Sequence, residues 1–160
     1  MSAKTFRQSP YKLSLIIATM GGLGYAPVAS GTVGTVGAVA LHYLFLRELP
    51  RLTYILVWLI LFEIGCYTAQ VVKEWLGQED PGIVVVDEAM GYFVAMFMVP
   101  STALFILGAF LIFRFFDIVK PWPANYFDRR VNNGLGIVMD DVVAGLYTNL
   151  ILQFIKYLAT

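Results

Sequence analysis

The stretch LTYILVWLILFEIGCYTAQVVKEWL, residues 52–76, exceeds the roughly 20 apolar residues needed to cross about 30 Å of hydrocarbon, and it reads as a membrane-spanning helix that carries Glu63. On its N-terminal side, residues 31–46 form a small-residue helix. Residues 83–99 and 102–116 are two further apolar runs, split by Pro100 and Ser101, where proline cannot continue a helix ladder. Residues 137–158 make the last span. Residues 13–23 run into Gly21, Gly22 and Gly24 and read as a half-inserted or interfacial segment. The expectation is an all-α, polytopic helical membrane protein with about five spans plus this N-terminal segment. No linker or charge block divides residues 1–160, so one membrane-embedded domain is expected.

Composition agrees. The 160 residues are 59% hydrophobic with a mean hydropathy of +0.73, above the roughly 45–50% apolar content of soluble domains. Eleven basic and eleven acidic residues cancel, which removes the basic excess expected of a nucleic-acid binder. The single cysteine, Cys66, lies in an apolar run and reads as a small packed hydrophobe. The segment 14–26 imitates the core of a secretory signal, but cleavage near Ala29 would cut beside glycines that look functional.

Positive charge sets the expected orientation. Lys4, Arg7 and Lys12 near the start, and Lys120, Arg129 and Arg130 in the long loop 117–136, fall on one side of a five-span chain, the cytoplasmic one. Arg47 and Arg51 then face outward against the trend. Gly31, Gly34 and Gly37, and Ala144 with Gly145, are small-residue stripes suited to close helix packing.

The chemistry lies in the acids. Asp87, Glu88, Asp117, Asp140 and Asp141 stand at the edges of apolar segments, where a lone carboxylate is costly, so such acids pair, bind ions or line a wet cavity. The topology brings them to one end. Converging carboxylates without a histidine or cysteine cluster point to a hard cation such as Mg²⁺. Neighbours on a helix point about 100° apart, so one member of each adjacent pair is expected to face the metal directly. Asp140 and Asp141 could instead be a helix N-terminal pair that complements the macrodipole.

Arg114, Asp117 and Lys120 recur every third residue and form a polar stripe that Pro121 ends. One acid between two cations suits a phosphate site, although a snorkelling stripe anchored by Trp122 would account for Lys120 as well. Ser30, Gly31 and Thr32 open a helix whose amides and hydroxyls could hold an anion. His42 lies more than two turns further on and reads as a packed or interfacial histidine.

Four blocks now stand in order: SGTVGT at 30–35, VDEAMG at 86–91, FRFFDIVKPWP at 113–123 and DDVVAG at 140–145. Together they resemble the phosphatidylglycerophosphatase A family, over nearly the whole chain from about residue 23. The resemblance implies a helical fold, Mg²⁺ dependence, and hydrolysis of phosphatidylglycerol phosphate to phosphatidylglycerol and phosphate in phospholipid biosynthesis. It places metal ligands on Asp87, Glu88, Asp117, Asp140 and Asp141, with Lys120 and Arg114 as basic partners. In the expected mechanism Glu88, Asp117 and Lys120 are catalytic, and Arg114, Lys120, Ser30, Gly31 and Thr32 contact phosphate. The expected setting is the cytoplasmic face of a bacterial inner membrane, with membrane lipid as surroundings and no nucleic-acid partner.

No Cys-x5-Arg run is present, which excludes a cysteinyl-phosphate route. A CDP-alcohol phosphatidyltransferase needs an Asp-x2-Asp-Gly-x2-Ala-Arg run that is absent. A small ion or proton-coupled carrier would also use buried acids and is the alternative reading. It does not require the KPWP terminus at 120–123. Clustered acids likewise argue against a non-catalytic membrane scaffold.

Overall fold

A computed structural model describes residues 3–159, with side chains for residues 11–159. Lys4 and Arg7, which carry part of the N-terminal positive charge, have side chains outside the described residues. Among the described residues there are seven α-helices and no strand: α1 Ala3–Ala18, α2 Ser30–Leu41, α3 Arg51–Leu76, α4 Val86–Met96, α5 Ala103–Val119, α6 Ala124–Arg130 and α7 Gly134–Leu158. A single 3-10 turn, Leu23–Tyr25, joins α1 to α2.

Local chemistry sets the boundaries. Pro50 precedes α3, and Gly77, at φ 64, ends it in the left-handed conformation that glycine adopts without steric cost. Asn133 caps α7, its side-chain oxygen accepting from the Gly136 amide at 3.0 Å. The last turn of α2 widens into a π-helical stretch, His42–Leu46, where the Arg47 amide reaches back five residues to the His42 carbonyl at 3.0 Å. His42 itself is buried against the rings of Tyr54 and Tyr92, in keeping with a packed histidine.

Two expected segments change shape. The run 83–99 is not one continuous helix: a turn closes with the Val84 amide on the Pro81 carbonyl, and α4 occupies only Val86–Met96. Eleven residues rise about 16 Å, well short of the bilayer core. The run 102–116 is longer than expected, because α5 continues to Val119 and takes Asp117 into the helix. Lys120 then turns left-handed at φ 45 and lies outside it. The three-residue polar stripe is therefore broken at its third member.

The helices alternate in direction. One polar cavity is lined by Ser30 at the start of α2, Lys73 at the end of α3, Asp87 at the start of α4, Asp117 near the end of α5 and Asp140 in α7. Another, lined by His42, Arg51, Met98, Ser101 and Lys156, collects their other ends. Helix α7 packs on α3, α4, α5 and α6, most extensively on α4. Short α4 is buried on nearly every side and forms the hub of the core. Its far end is held by Asn149, whose side-chain amide donates to the Ala95 and Phe97 carbonyls at 3.0 and 2.8 Å, and by Gln153, which donates to Phe97 at 3.1 Å.

Two helices, Arg51–Leu76 and Gly134–Leu158, are long and apolar enough to cross a membrane, with mean hydropathies of 1.9 and 1.5. Large apolar side chains such as Leu59, Leu104, Leu111, Leu150 and Phe154 point outward. An outer surface of this kind suits hydrocarbon better than water.

Candidate active site

Asp87 and Glu88 lie in the first turn of α4, and Asp141 lies about two turns into α7. Each can offer a carboxylate oxygen to a common point, the three atoms lying within 4.8 Å of one another. Asp87 Oδ1 and Glu88 Oε2 are buried without a hydrogen-bond partner, as is the neighbouring Asp140 Oδ1. Buried carboxylate oxygens facing one another cost several kcal/mol by desolvation and mutual repulsion, a cost of roughly the scale that a bound cation would offset. The donor set is all oxygen. It fits a hard divalent cation.

The close approach of α4 and α7 depends on two glycines. A Cβ on Gly91 would overlap the Asp141 carbonyl, and one on Gly145 would overlap the Gly91 carbonyl. Because Gly91 follows Asp87 and Glu88 by one turn, and Gly145 follows Asp141 by one turn, the contact fixes the spacing of the acids.

Both cations of the FRFFDIVKPWP block are committed to carboxylates. Arg114 pairs with Asp117 one turn along α5 and stands 3.8 Å from Glu88 Oε1. It supports these acids from behind and does not line the cavity, and its buried Nε has no partner. Lys120 Nζ lies 2.5 Å from both Asp128 Oδ1 and Asp140 Oδ2. Burial alone would lower the Lys120 pKa; the Asp140 and Asp128 carboxylates outweigh that and hold it above the ordinary lysine value, so it stays an ammonium.

These groups open into a cavity of about 360 Å³, within the range of about 300–1,000 Å³ common for ligand sites. Asp87, Glu88, Asp117, Lys120, Asp140, Asp141 and Ser30 all line it. Ser30 donates its hydroxyl to the Gly82 carbonyl at 2.7 Å, tying the start of α2 to the loop before α4. Gly31 sits against Glu88 and Arg114, where a side chain would displace them. Thr32 does not line the cavity.

Of the adjacent acid pairs, 140–141 divides, with Asp141 in the three-acid group and Asp140 on Lys120. Asp87 and Glu88 both join the group, because the first turn of α4 faces the cavity broadly. The macrodipole reading of Asp140 and Asp141 fails on position, since α7 starts at Gly134. Asp128 was not expected in the site. Its neighbours Arg129 and Arg130 give it the look of a wet loop acid, and only the fold of α6 against α7 brings it to Lys120.

A family model described as Phosphatidylglycerophosphatase A matches residues 16–156. The chain belongs to the phosphatidylglycerophosphatase A family. Proteins named Phosphatidylglycerophosphatase A are similar to it: one from Haemophilus influenzae is 37% identical over 137 residues, covering 85% of this chain and 84% of the relative. Another, from Escherichia coli, is 36% identical over 137 residues, covering 85% and 79%. A Bacteroides thetaiotaomicron protein named "Putative phosphatidylinositol-3-phosphatase" is 35% identical over 159 residues, covering 92% and 96%. No solved structure matches the chain. Membership in the phosphatidylglycerophosphatase A family makes the protein an enzyme, a phosphatase acting on a lipid, and all the residues of the cavity fall inside the matched region.

Proposed function

We propose that the protein hydrolyses phosphatidylglycerol phosphate to phosphatidylglycerol and phosphate in a Mg²⁺-dependent reaction at the cytoplasmic face of a bacterial inner membrane. The observation that carries this reading is the buried group of Asp87, Glu88 and Asp141, with orphaned oxygens, opening into a cavity beside a committed ammonium in a chain of this family. The alternating helices α2, α3, α4, α5 and α7 are read as the five passes of one membrane-embedded domain, in which α4, too short to cross the bilayer by itself, is enclosed by its neighbours. Acyl chains stay in lipid while the phosphate head enters the cavity.

Asp87, Glu88 and Asp141 would hold Mg²⁺, with Asp117 and Asp140 at the margin of the same group; the ion supplies electrostatic stabilisation to the phosphoryl oxygens and favours deprotonation of water. Glu88, through its unpartnered Oε2, accepts the proton of the water that attacks phosphorus in line with the glycerol oxygen; the bond from phosphorus to that oxygen breaks, and the departing alkoxide takes a proton from solvent water to become the hydroxyl of phosphatidylglycerol. Lys120 faces the phosphoryl oxygens and offsets charge there, oriented by Asp128 and Asp140. Arg114 holds Asp117 and Glu88 in place. Ser30 and Gly31 shape the wall beside Glu88.

The test is phosphate release from phosphatidylglycerol phosphate in detergent micelles, with Mg²⁺ or with EDTA, for the purified protein and an Asp117→Asn variant. Release that requires Mg²⁺ and collapses in the variant supports the reading. Metal-independent release overturns the Mg²⁺ dependence, and no release from folded protein overturns the assignment of this substrate.

A further inference from the structure

Eight carboxylates and two lysine ammonium groups line the cavity. The terminal phosphate of the proposed substrate carries a charge of roughly −1.5 to −2 near pH 7. The same lipid has a second phosphate, the diester that joins its glycerol head to diacylglycerol, with one more negative charge. The acids at 87, 88 and 141, with their cation, account for the first phosphate. Nothing in the site as described receives the second.

Lys120 does not serve, because two of its three donors go to Asp128 and Asp140 at 2.5 Å and the third is given to the terminal phosphoryl oxygens in the reading above. Lys73 differs. It is half-buried in the last turn of α3, and its Nζ donates to the Glu79 carbonyl at 3.1 Å. Among the described residues no carboxylate lies within 4.0 Å of it, so it is the one cavity-lining cation without an ion pair. An ammonium has three donors, and the Glu79 contact uses one. That contact also holds the side chain against the loop whose residues Glu79, Asp80 and Gly82 form one wall of the cavity. A lysine at the end of a helix long enough to cross the membrane extends its ammonium toward the level of the lipid phosphates.

We propose that Lys73 binds the phosphodiester of the lipid substrate and so favours a lipid bearing two phosphates over one bearing a single terminal phosphate. The proposal rests on the phosphatidylglycerol phosphate reading above.

The experiment uses the full chain in detergent micelles with Mg²⁺ and compares wild type, Lys73→Ala and Lys73→Arg on dihexanoyl phosphatidylglycerol phosphate. Inhibition is measured with dihexanoyl phosphatidylglycerol, which retains only the diester, and with inorganic phosphate, which mimics only the terminal group. Lys73→Ala is expected to raise KM about tenfold with a smaller effect on kcat, and to weaken phosphatidylglycerol inhibition about tenfold. Inorganic phosphate should inhibit as before, and Lys73→Arg should recover most of the loss. Equal weakening of both inhibitors, a fall in kcat alone, or no change would each overturn the assignment. Failure of wild type to hydrolyse the substrate removes the underlying function, and with it the role of Lys73, before any variant is compared.

Discussion

Gly145 of α7 packs directly on the backbone of Gly91 of α4, whose carbonyl stands where a Cβ on Gly145 would go; a Cβ on Gly91 would in turn overlap the Asp141 carbonyl of α7. Both lie one turn beyond the acids they position. Gly91→Ala and Gly145→Ala should each destabilise the protein by about 1–3 kcal/mol through overpacking and lower phosphatase activity more than the stability loss accounts for. Thermal unfolding in detergent, run beside activity at a temperature where the variants stay folded, checks both parts. Unchanged activity in a destabilised variant would show that the crossing does not set the acid spacing.

Removing a charge from the three-acid group should reveal the cation without any turnover. Mg²⁺ at 100 times its dissociation constant stabilises a protein that binds it only when folded by about 2.7 kcal/mol. Wild type is expected to show a Mg²⁺-induced rise in Tm, and Asp141→Asn should abolish it. A variant whose Tm still rises with Mg²⁺ as wild type does would remove Asp141 from the ligands.

Lys120→Met should reduce kcat about 10²- to 10³-fold, as expected when a preorganised cation opposite developing charge is lost. Asp128→Asn should cost less, because Asp140 still holds the ammonium at 2.5 Å. Steady-state kinetics of the two variants ranks them. The reverse order would assign Asp128, rather than Lys120, the larger part.

Glycines at 31 and 82 make a matched pair. A Cβ at Gly31 collides with the flexible ends of Glu88 and Arg114, whereas one at Gly82 meets nothing within 4 Å. Gly31→Ala should therefore lower activity with little change in Tm, and Gly82→Ala should leave both near wild type. Equal activities for the two would show that the wall beside Glu88 tolerates displacement.

Much of this site is legible in the sequence because its acids are anomalous where they stand. Asp87, Glu88, Asp117, Asp140 and Asp141 interrupt apolar runs, and all five reach one cavity. Local periodicity carries less. A three-residue repeat assumes that the helix continues, and Lys120 leaves α5 by adopting positive φ, so its partners are Asp128 and Asp140 across space. The same limit applies to α4, whose apolar run does not reveal that residues 81–85 fold into a turn. Asp128 and Lys73 look like ordinary polar residues at element ends. Only the packing of α6 and α3 around the acids gives them a place.

The central position of α7 has a consequence for synthesis. Glu88 is translated long before Asp141, and α7 is the last described helix to leave the ribosome. Until it arrives, α4 lacks the neighbour it packs against most extensively, and its two acids lack the third. A nascent chain that ends before α7 lacks Asp140 and Asp141 altogether, so the three-acid group is assembled only when the last described helix packs.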